Sequence, residues 1–286
     1  MTESWRNNHK NELQPSHVLM EKIAKQREKN GKNTRKPFYK PSQLEDNLKE
    51  LPEKWRWVKL NDLGYFTGGG TPSTKNPKFW NGDIIWISPK DMKKDFISNS
   101  RLKITNCAID NSATHRIPKD SILIVARSGI LKRKLPVSIN TEECTVNQDI
   151  KVLVPYLKEM SKYLRIMLKS YESYILKNLV KEGTTVQSIK YREFENQSFP
   201  IPPLKEQRKI VEEIEKQFLN IEKTEKVVKE NLIFIEKLRR SVLKNAFEGK
   251  LVAQDPSNEP AEILFERIKQ TNGIQKQKLV KGNKGD

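Results

Sequence analysis

From Leu204 to Phe247 the apolar positions of this chain keep a seven-residue period. One seam reads Ile214, Ile221, Val228, Ile235 and Val242. The other reads Leu204, Val211, Phe218 and Leu232, with Glu225 and Arg239 as polar interruptions. Such spacing puts both seams on one face of a helix, and a sustained heptad calls for a partner helix. The stretch opens after Ile201-Pro202-Pro203 and closes at Gly249, a breaker and a stop signal. At 1.5 Å per residue, about 45 residues make a rod of roughly 65–70 Å, a spacer. Residues 204–248 are therefore expected to form a spacer and dimerisation helix. Its pairing interface is expected to be Val211, Ile214, Phe218, Ile221, Val228, Leu232, Ile235 and Val242. Polar residues in a seam penalise misaligned pairs, so Glu225 and Arg239 help to set the register. The sequence has no second long heptad, so the partner helix is expected from another chain, a second copy or a complementary half.

Upstream the period changes from seven to two. Trp55–Leu60, Ile84–Ile87, Ser121–Ala126 and Ile150–Val154 read as strands, separated by turn signals at Gly68–Pro72, Asn81-Gly82-Asp83 and Ser128-Gly129. A helix is expected from about Lys158 to Leu179, with Leu164, Leu168, Tyr171 and Ile175 on one face. The fold class is α+β: a strand-rich globular domain over 51–203, then a long coiled-coil-type helix. Residues 1–50 read as a short helix around Val18–Ile23 and a flexible linker, and 249–286 as a linker and disordered tail. A repeat connects the two ends. Pro15, Leu19, Glu21, Lys22 and Ile23 align without a gap on Pro260, Leu264, Glu266, Arg267 and Ile268.

The formal charge is +18. Residues 51–203 hold 25 Lys and Arg against 15 Asp and Glu, so most of the excess lies on the globular part. A basic domain favours a polyanion, most often nucleic acid. Cys107 and Cys144 form no CxxC pair and are expected as buried free thiols in a reducing compartment. His9, His17 and His115 are scattered, so neither a zinc site nor a His-based triad is expected. No apolar run approaches the ~18 residues that span a bilayer, and no signal-peptide pattern opens the chain. A cytoplasmic protein is expected.

Three stretches echo catalytic patterns. Phe66–Gly70 and Asn76-Pro77-Lys78-Phe79 echo phrases of methyltransferases that bind S-adenosylmethionine, but they lie too close together for a Rossmann-like domain between them. The same glycine loop lacks the Gly-Lys-[Ser/Thr] of a P-loop. Asp120 and Asp149-Ile150-Lys151 echo a metal-dependent nuclease, in which two carboxylates and a lysine hold Mg²⁺. That nuclease, and a structural coiled-coil adaptor without DNA binding, are the alternatives. No catalytic and no metal-binding residue is assigned.

The polar loops carry the better signal. Arg127, Lys132, Arg133 and Lys134 follow a strong strand and are expected to contact phosphates. Lys90, Lys93, Thr185 and Gln187 are expected to read base edges. Thr74, Lys75, Lys94 and Thr184 complete the DNA-binding set.

Taken together, these phrases resemble the specificity subunit of a type I restriction–modification system. The resemblance is carried by Leu51–Leu60, Gly68–Ser73, Trp80–Ser88, Gly183–Val186, the junction Phe199–Gln207, Ala246–Val252 and Asp255–Ala261. Subunits of that family have two target-recognition domains, each followed by a long helix, and the helices pair antiparallel. This chain resembles the C-terminal half of one. The resemblance implies double-stranded DNA, a methyltransferase subunit and a restriction/translocase subunit as partners. It also implies a second half-subunit or a homodimer. No cofactor is expected on this chain; S-adenosylmethionine, ATP and Mg²⁺ would belong to the partner subunits.

Overall fold

The computed structural model describes residues 2–29, 50–183, 186–253 and 255–282. It divides into two units, Met1–Gln217 and Phe218–Asp286. In chain order the first unit runs through α1 (Glu3–Asn8), α2 (Ser16–Lys29), β1 (Arg56–Lys59), α3 (Leu60–Leu63), β2 (Gly64–Thr67) and β3 (Trp80–Ile87). It continues through β4 (Phe96–Ile97), β5 (Leu102–Ile104), α4 (Asn106–Asp110), β6 (Ile122–Val125), β7 (Arg127–Ser128), β8 (Val137–Asn140) and β9 (Thr145–Val146). Then come β10 (Ile150–Pro155), α5 (Ser161–Ser170), α6 (Glu172–Asn178), β11 (Val180–Lys181), β12 (Gln187–Ile189), α7 (Tyr191–Glu195) and β13 (Ser198–Ile201). The long helix α8 (Leu204–Phe247) starts in this unit, and α9 (Ala261–Gly282) belongs to the second.

The centre of the first unit is a five-stranded sheet ordered β2-β10-β6-β8-β4. The run Ile122–Val125 lacks polar alternation because both faces of β6 are covered. Ile122 and Ile124 join a core shared with Leu164, Leu168, Ile175 and Phe199, while Leu123 and Val125 join a second core with Ile87, Val146 and Val152. β3 crosses the second core between β5 and β9, and β12 links β11 to β7. β1 pairs antiparallel with β13, Arg56 opposite Ile201, so the start and end of the domain are fastened together.

Three details depart from the sequence reading. The expected helix over Lys158–Leu179 is two helices, α5 and α6, broken at Tyr171. Ser170 Oγ donates to the Met167 carbonyl at 2.8 Å, which also accepts from the Tyr171 N–H at 3.1 Å, and the Tyr171 ring packs edge-on against Phe199, 5.1 Å between centroids. The segment expected as a disordered tail is helical to Gly282, in keeping with its good helix formers Gln275–Leu279. Cys144 is buried as expected, but Cys107 is exposed on α4.

The N-terminal helices belong to the first unit. Leu19 and Ile23 of α2 are 4% and 2% exposed and enter the main core. At the base of α8 the fully buried Glu206 carboxylate accepts from Arg6 Nε and Trp55 Nε1, both at 2.8 Å, and from Thr2 Oγ1 at 3.3 Å. Acidic residues are favoured in a first turn, where backbone N–H groups are unpaired. The other end of α8 stops in a Schellman turn. There Gly249 has φ 69°, its N–H donates to Ala246 O at 3.2 Å and that of Lys250 donates to Asn245 O at 2.8 Å.

The heptad seam divides between two environments. Val211 is 8% exposed and packed in the main core, and Ile214 is half-buried. Phe218, Ile221, Val228, Leu232, Ile235 and Val242 are all exposed. Val211 is thus used by its own domain and is removed from the expected pairing interface.

Candidate nucleic-acid interface

A cleft of about 960 Å³ opens in the first unit among Trp86, Ser88, Lys90, Asp91, Arg101, Arg127, Asn147, Asp149 and Val186. Its scaffold explains the glycine loop. The backbone at Gly69 passes so close to β9 that a Cβ there would lie 1.9 Å from the Val146 carbonyl oxygen. The Gly70 carbonyl accepts from Trp86 Nε1 at 3.0 Å and from Thr114 Oγ1 at 2.7 Å. The glycines therefore serve close packing under the cleft.

One lining segment follows β3. Asp91 folds it back: Oδ2 accepts from Ser88 N–H at 2.9 Å and Ser88 Oγ at 2.7 Å, and Oδ1 accepts from Arg101 N–H at 3.2 Å. The Arg101 guanidinium Nε lies 3.4 Å from the same Oδ1. Burial pushes the Asp91 carboxyl up, but the Ser88 and Arg101 hydrogen bonds and the Arg101 charge outweigh it and hold the group below its ordinary value. The second segment is β7 with the turn before β10. Arg127 Nε donates to Asp149 Oδ1 at 2.7 Å, and Asn147 Nδ2 donates to Asp149 Oδ2 at 3.1 Å. The N–H groups of Ala126 and Arg127 both donate to the Asp149 carbonyl, at 2.8 and 3.2 Å.

Of the expected DNA-binding residues, Lys90 and Arg127 meet in this cleft. Lys93 and Lys94 line an adjoining shallow groove that shares Lys90, Asp91 and Arg101 with it. Lys132 and Gln187 line a separate hollow. Thr74, Lys75, Arg133 and Lys134 are exposed and line none of these three hollows. Thr184 and Thr185 lie outside the described residues. Gln187 is a correction: at 5% exposure in β12, with Nε2 donating to the Gly183 carbonyl at 3.1 Å, it is a buried framework residue and no base reader in this arrangement. Arg101, Asn147 and the orienting role of Asp91 and Asp149 escaped the sequence reading, because partners 10 and 22 residues apart leave no periodic trace.

The geometry also disposes of the nuclease alternative. Asp120 precedes β6 and Asp149 sits beside the residue that follows it, as the pairing of Ile150 with Val125 shows. The four residues of β6 lie between them, roughly 13 Å of extended strand before the flanking residues are counted. Among the described residues no three His, Cys, Asp or Glu side chains are grouped to hold a metal ion, and no helix is long and apolar enough to cross a membrane.

Residues 52–231 match the family model described as the type I restriction modification DNA specificity domain. The chain is 39% identical over 186 residues to the EcoR124I/EcoR124II specificity subunit of Escherichia coli, covering 64% of this chain and 46% of that protein. It is 32% identical over 170 residues to the MjaIX specificity subunit of Methanocaldococcus jannaschii, covering 58% and 38%. The chain thus spans less than half the length of both relatives. Its fold is similar to that of a chain solved in work on complex assembly and conformational transition of the type I R-M system, with TM-score 0.56 and 20% identity over 82% of this chain and 57% of that one. It is also similar to the HsdS subunit from Thermoanaerobacter tengcongensis, with TM-score 0.51 and 19% identity over 87% and 54%.

Proposed function

Because the chain belongs to the type I restriction modification DNA specificity family, we propose that it is a sequence-specific DNA-recognition subunit, one half of a bipartite reader. The observation that carries this is the convergence of Lys90, Arg101 and Arg127 in one cleft of a rigid, strand-rich body. Cationic and hydrogen-bonding side chains on a fixed scaffold suit base edges and phosphates in a major groove. The chain is non-catalytic. Methylation and cleavage fall to a methyltransferase subunit and a restriction/translocase subunit in the cytoplasm. S-adenosylmethionine, ATP and Mg²⁺ act there. The exposed seam Phe218–Val242 takes up a second half-subunit or a second copy of this chain. Two identical copies would read an inverted repeat, and a complementary half an asymmetric site.

The test is an electrophoretic shift of random duplex DNA by the purified chain, alone and with the methyltransferase subunit, between 50 and 200 mM salt. Binding that weakens steeply with salt is expected. A chain that shifts no duplex in either form, or that cuts plasmid DNA with Mg²⁺ and loses cutting in Asp149→Ala, overturns the proposal.

A further inference from the structure

The two arginines of the cleft are held at the same atom by carboxylates. Arg127 Nε donates to Asp149, and Arg101 Nε lies beside Asp91. The Arg127 arrangement is the tighter. Asp149 is itself fixed, its second oxygen taken by Asn147 Nδ2 and its N–H donating to Asn147 Oδ1 at 3.1 Å. The Arg127 backbone is pinned in β7 opposite Ser188 of β12. Among the described residues Nη1 and Nη2 of Arg127 have no hydrogen-bond partner, and the side chain is 58% exposed. An arginine held at Nε offers its two Nη groups end-on, as a fork.

Such a fork fits two anionic or acceptor pairs: two phosphate oxygens, or O6 and N7 of guanine. Charge decides between them. Asp149 offsets the Arg127 charge locally, so the pair is a poor phosphate anchor while its donor geometry is intact. Lys132, Arg133 and Lys134, by contrast, are exposed and make no ion pair among the described residues. They remain suited to phosphates, and the structure separates Arg127 from them. We propose that Arg127 reads a guanine in the major groove through its Nη fork, and that Asp149 is the positioning residue that aims it. Arg101 with Asp91 forms a second, looser fork on the other lining segment. This rests on the DNA-recognition reading above and names one base of the site.

The experiment selects preferred duplexes from a random library with the full chain and the methyltransferase subunit. It then titrates the preferred duplex and single-base substitutions of it at several salt concentrations. Arg127→Ala should lose about 5- to 150-fold for the preferred duplex, the range of a bidentate base contact. It should lose its guanine preference at one position, keep its salt slope, and weaken on random duplex only through the Asp149 charge left unpaired, by less than on the preferred duplex. Arg127→Lys keeps the charge without the fork and should lose the same preference. Asp149→Asn keeps an acceptor for Nε and should retain the preference. Asp149→Ala should lose it and bind random duplex more tightly, with a salt slope larger by about one. Equal behaviour of Asp149→Asn and Asp149→Ala would make Asp149 a mere charge and overturn the proposal. So would an Arg127→Ala chain that weakens on all duplexes alike with a slope smaller by about one. If Asp149→Ala does not fold, Arg127→Lys and Asp149→Asn decide. A wild-type chain that binds no DNA defeats the functional reading itself. Wild-type binding with unaltered preference in the Arg127 variants defeats only this inference.

Discussion

Val211 and Ile235 both belong to the apolar face of α8, one in each seam, but lie in opposite environments, so trimming each to alanine should have opposite consequences. Val211 is buried in the main core, and Ile235 is 56% exposed. Val211→Ala removes two buried carbon groups, about 1.6 kcal/mol of transfer at ~0.8 kcal/mol each. The residual cavity adds up to about 1 kcal/mol. Better helix propensity returns about 0.5 kcal/mol. A net loss of about 2 kcal/mol follows, which for a domain of this size lowers Tm by about 4–8 °C. Ile235→Ala removes nothing packed and should change the Tm of an isolated chain by no more than about 1–2 °C. If the exposed seam pairs, burial of Ile235 contributes roughly 1.5–3 kcal/mol, so its loss weakens association at least about tenfold.

The assay is thermal unfolding by circular dichroism at low micromolar concentration, with light scattering across a concentration series. A Val211→Ala chain with unchanged Tm and broken association would refute the division of the seam. An Ile235→Ala chain as destabilised as Val211→Ala under monomeric conditions would refute it equally.

Three further outcomes are expected. The Asp91 carboxyl is held low in the folded state, so its contribution is present above its unfolded value near 4 and is lost as pH falls from there through the lower folded value. Asp91→Asn should accordingly flatten the fall of Tm between about pH 5 and pH 3, and an unchanged slope would dismiss it. Burial, against a hydrogen bond to Asn140, pushes the Cys144 thiol up to about 12, whereas Cys107 is exposed. A thiol reagent at pH 8 should label Cys107 within minutes and Cys144 only on unfolding; fast labelling of both contradicts the burial. Leu19→Asp puts a carboxylate into the main core and should unfold the first unit, whereas Leu264→Asp at the aligned exposed position should leave Tm unaltered. Equal Tm losses would show that α9 is packed as α2 is.

The long helix and the central strands were legible because each writes a period into the sequence. Leu204–Phe247 keeps seven, and β6 is short, apolar and flanked by turn residues. Side-chain hydrogen bonds write no period. The break at Tyr171 falls inside an unbroken apolar spacing, and the cleft turns on Asp91 and Asp149, whose sequence neighbourhoods resemble any polar turn. Lys90 and Arg127, which the structure places in the cleft, stand out in sequence because basic loops after strands are visible there. Gln187 was misassigned because residue type says what a side chain can bond and says nothing of which way a three-residue strand faces.

The repeat at the two ends shows where pattern stops and structure begins. Both helices follow a proline and open with the same turn: Val18 N–H donates to Pro15 O at 3.0 Å, and Ile263 N–H to Pro260 O at 3.1 Å. Leu19 and Ile23 are then buried against the body, with Ser16 Oγ 2.7 Å from Lys54 O and 2.9 Å from Ile201 O. Leu264 and Ile268 are exposed, at 51% and 49%. Local geometry and apolar spacing are the same, and among the described residues α2 is seated in a core whereas Leu264 and Ile268 are exposed. An amphipathic pattern therefore specifies which face a helix can bury, and the surrounding body decides whether it does. The same holds along α8, where Val211 finds a core and Ile235 none. Transplanting the α9 sequence into α2 (Q14E, S16A, H17E, V18I, M20F, K22R) tests this directly. If the pattern alone qualifies a segment for the seat, the variant folds and loses only the one hydrogen bond that the Ser16 hydroxyl donates, about 0.5–1.5 kcal/mol, since the Lys54 carbonyl still accepts from the backbone N–H of residue 16 at 3.1 Å. A collapse as complete as that of Leu19→Asp would mean that the seat selects for more than leucine and isoleucine four residues apart.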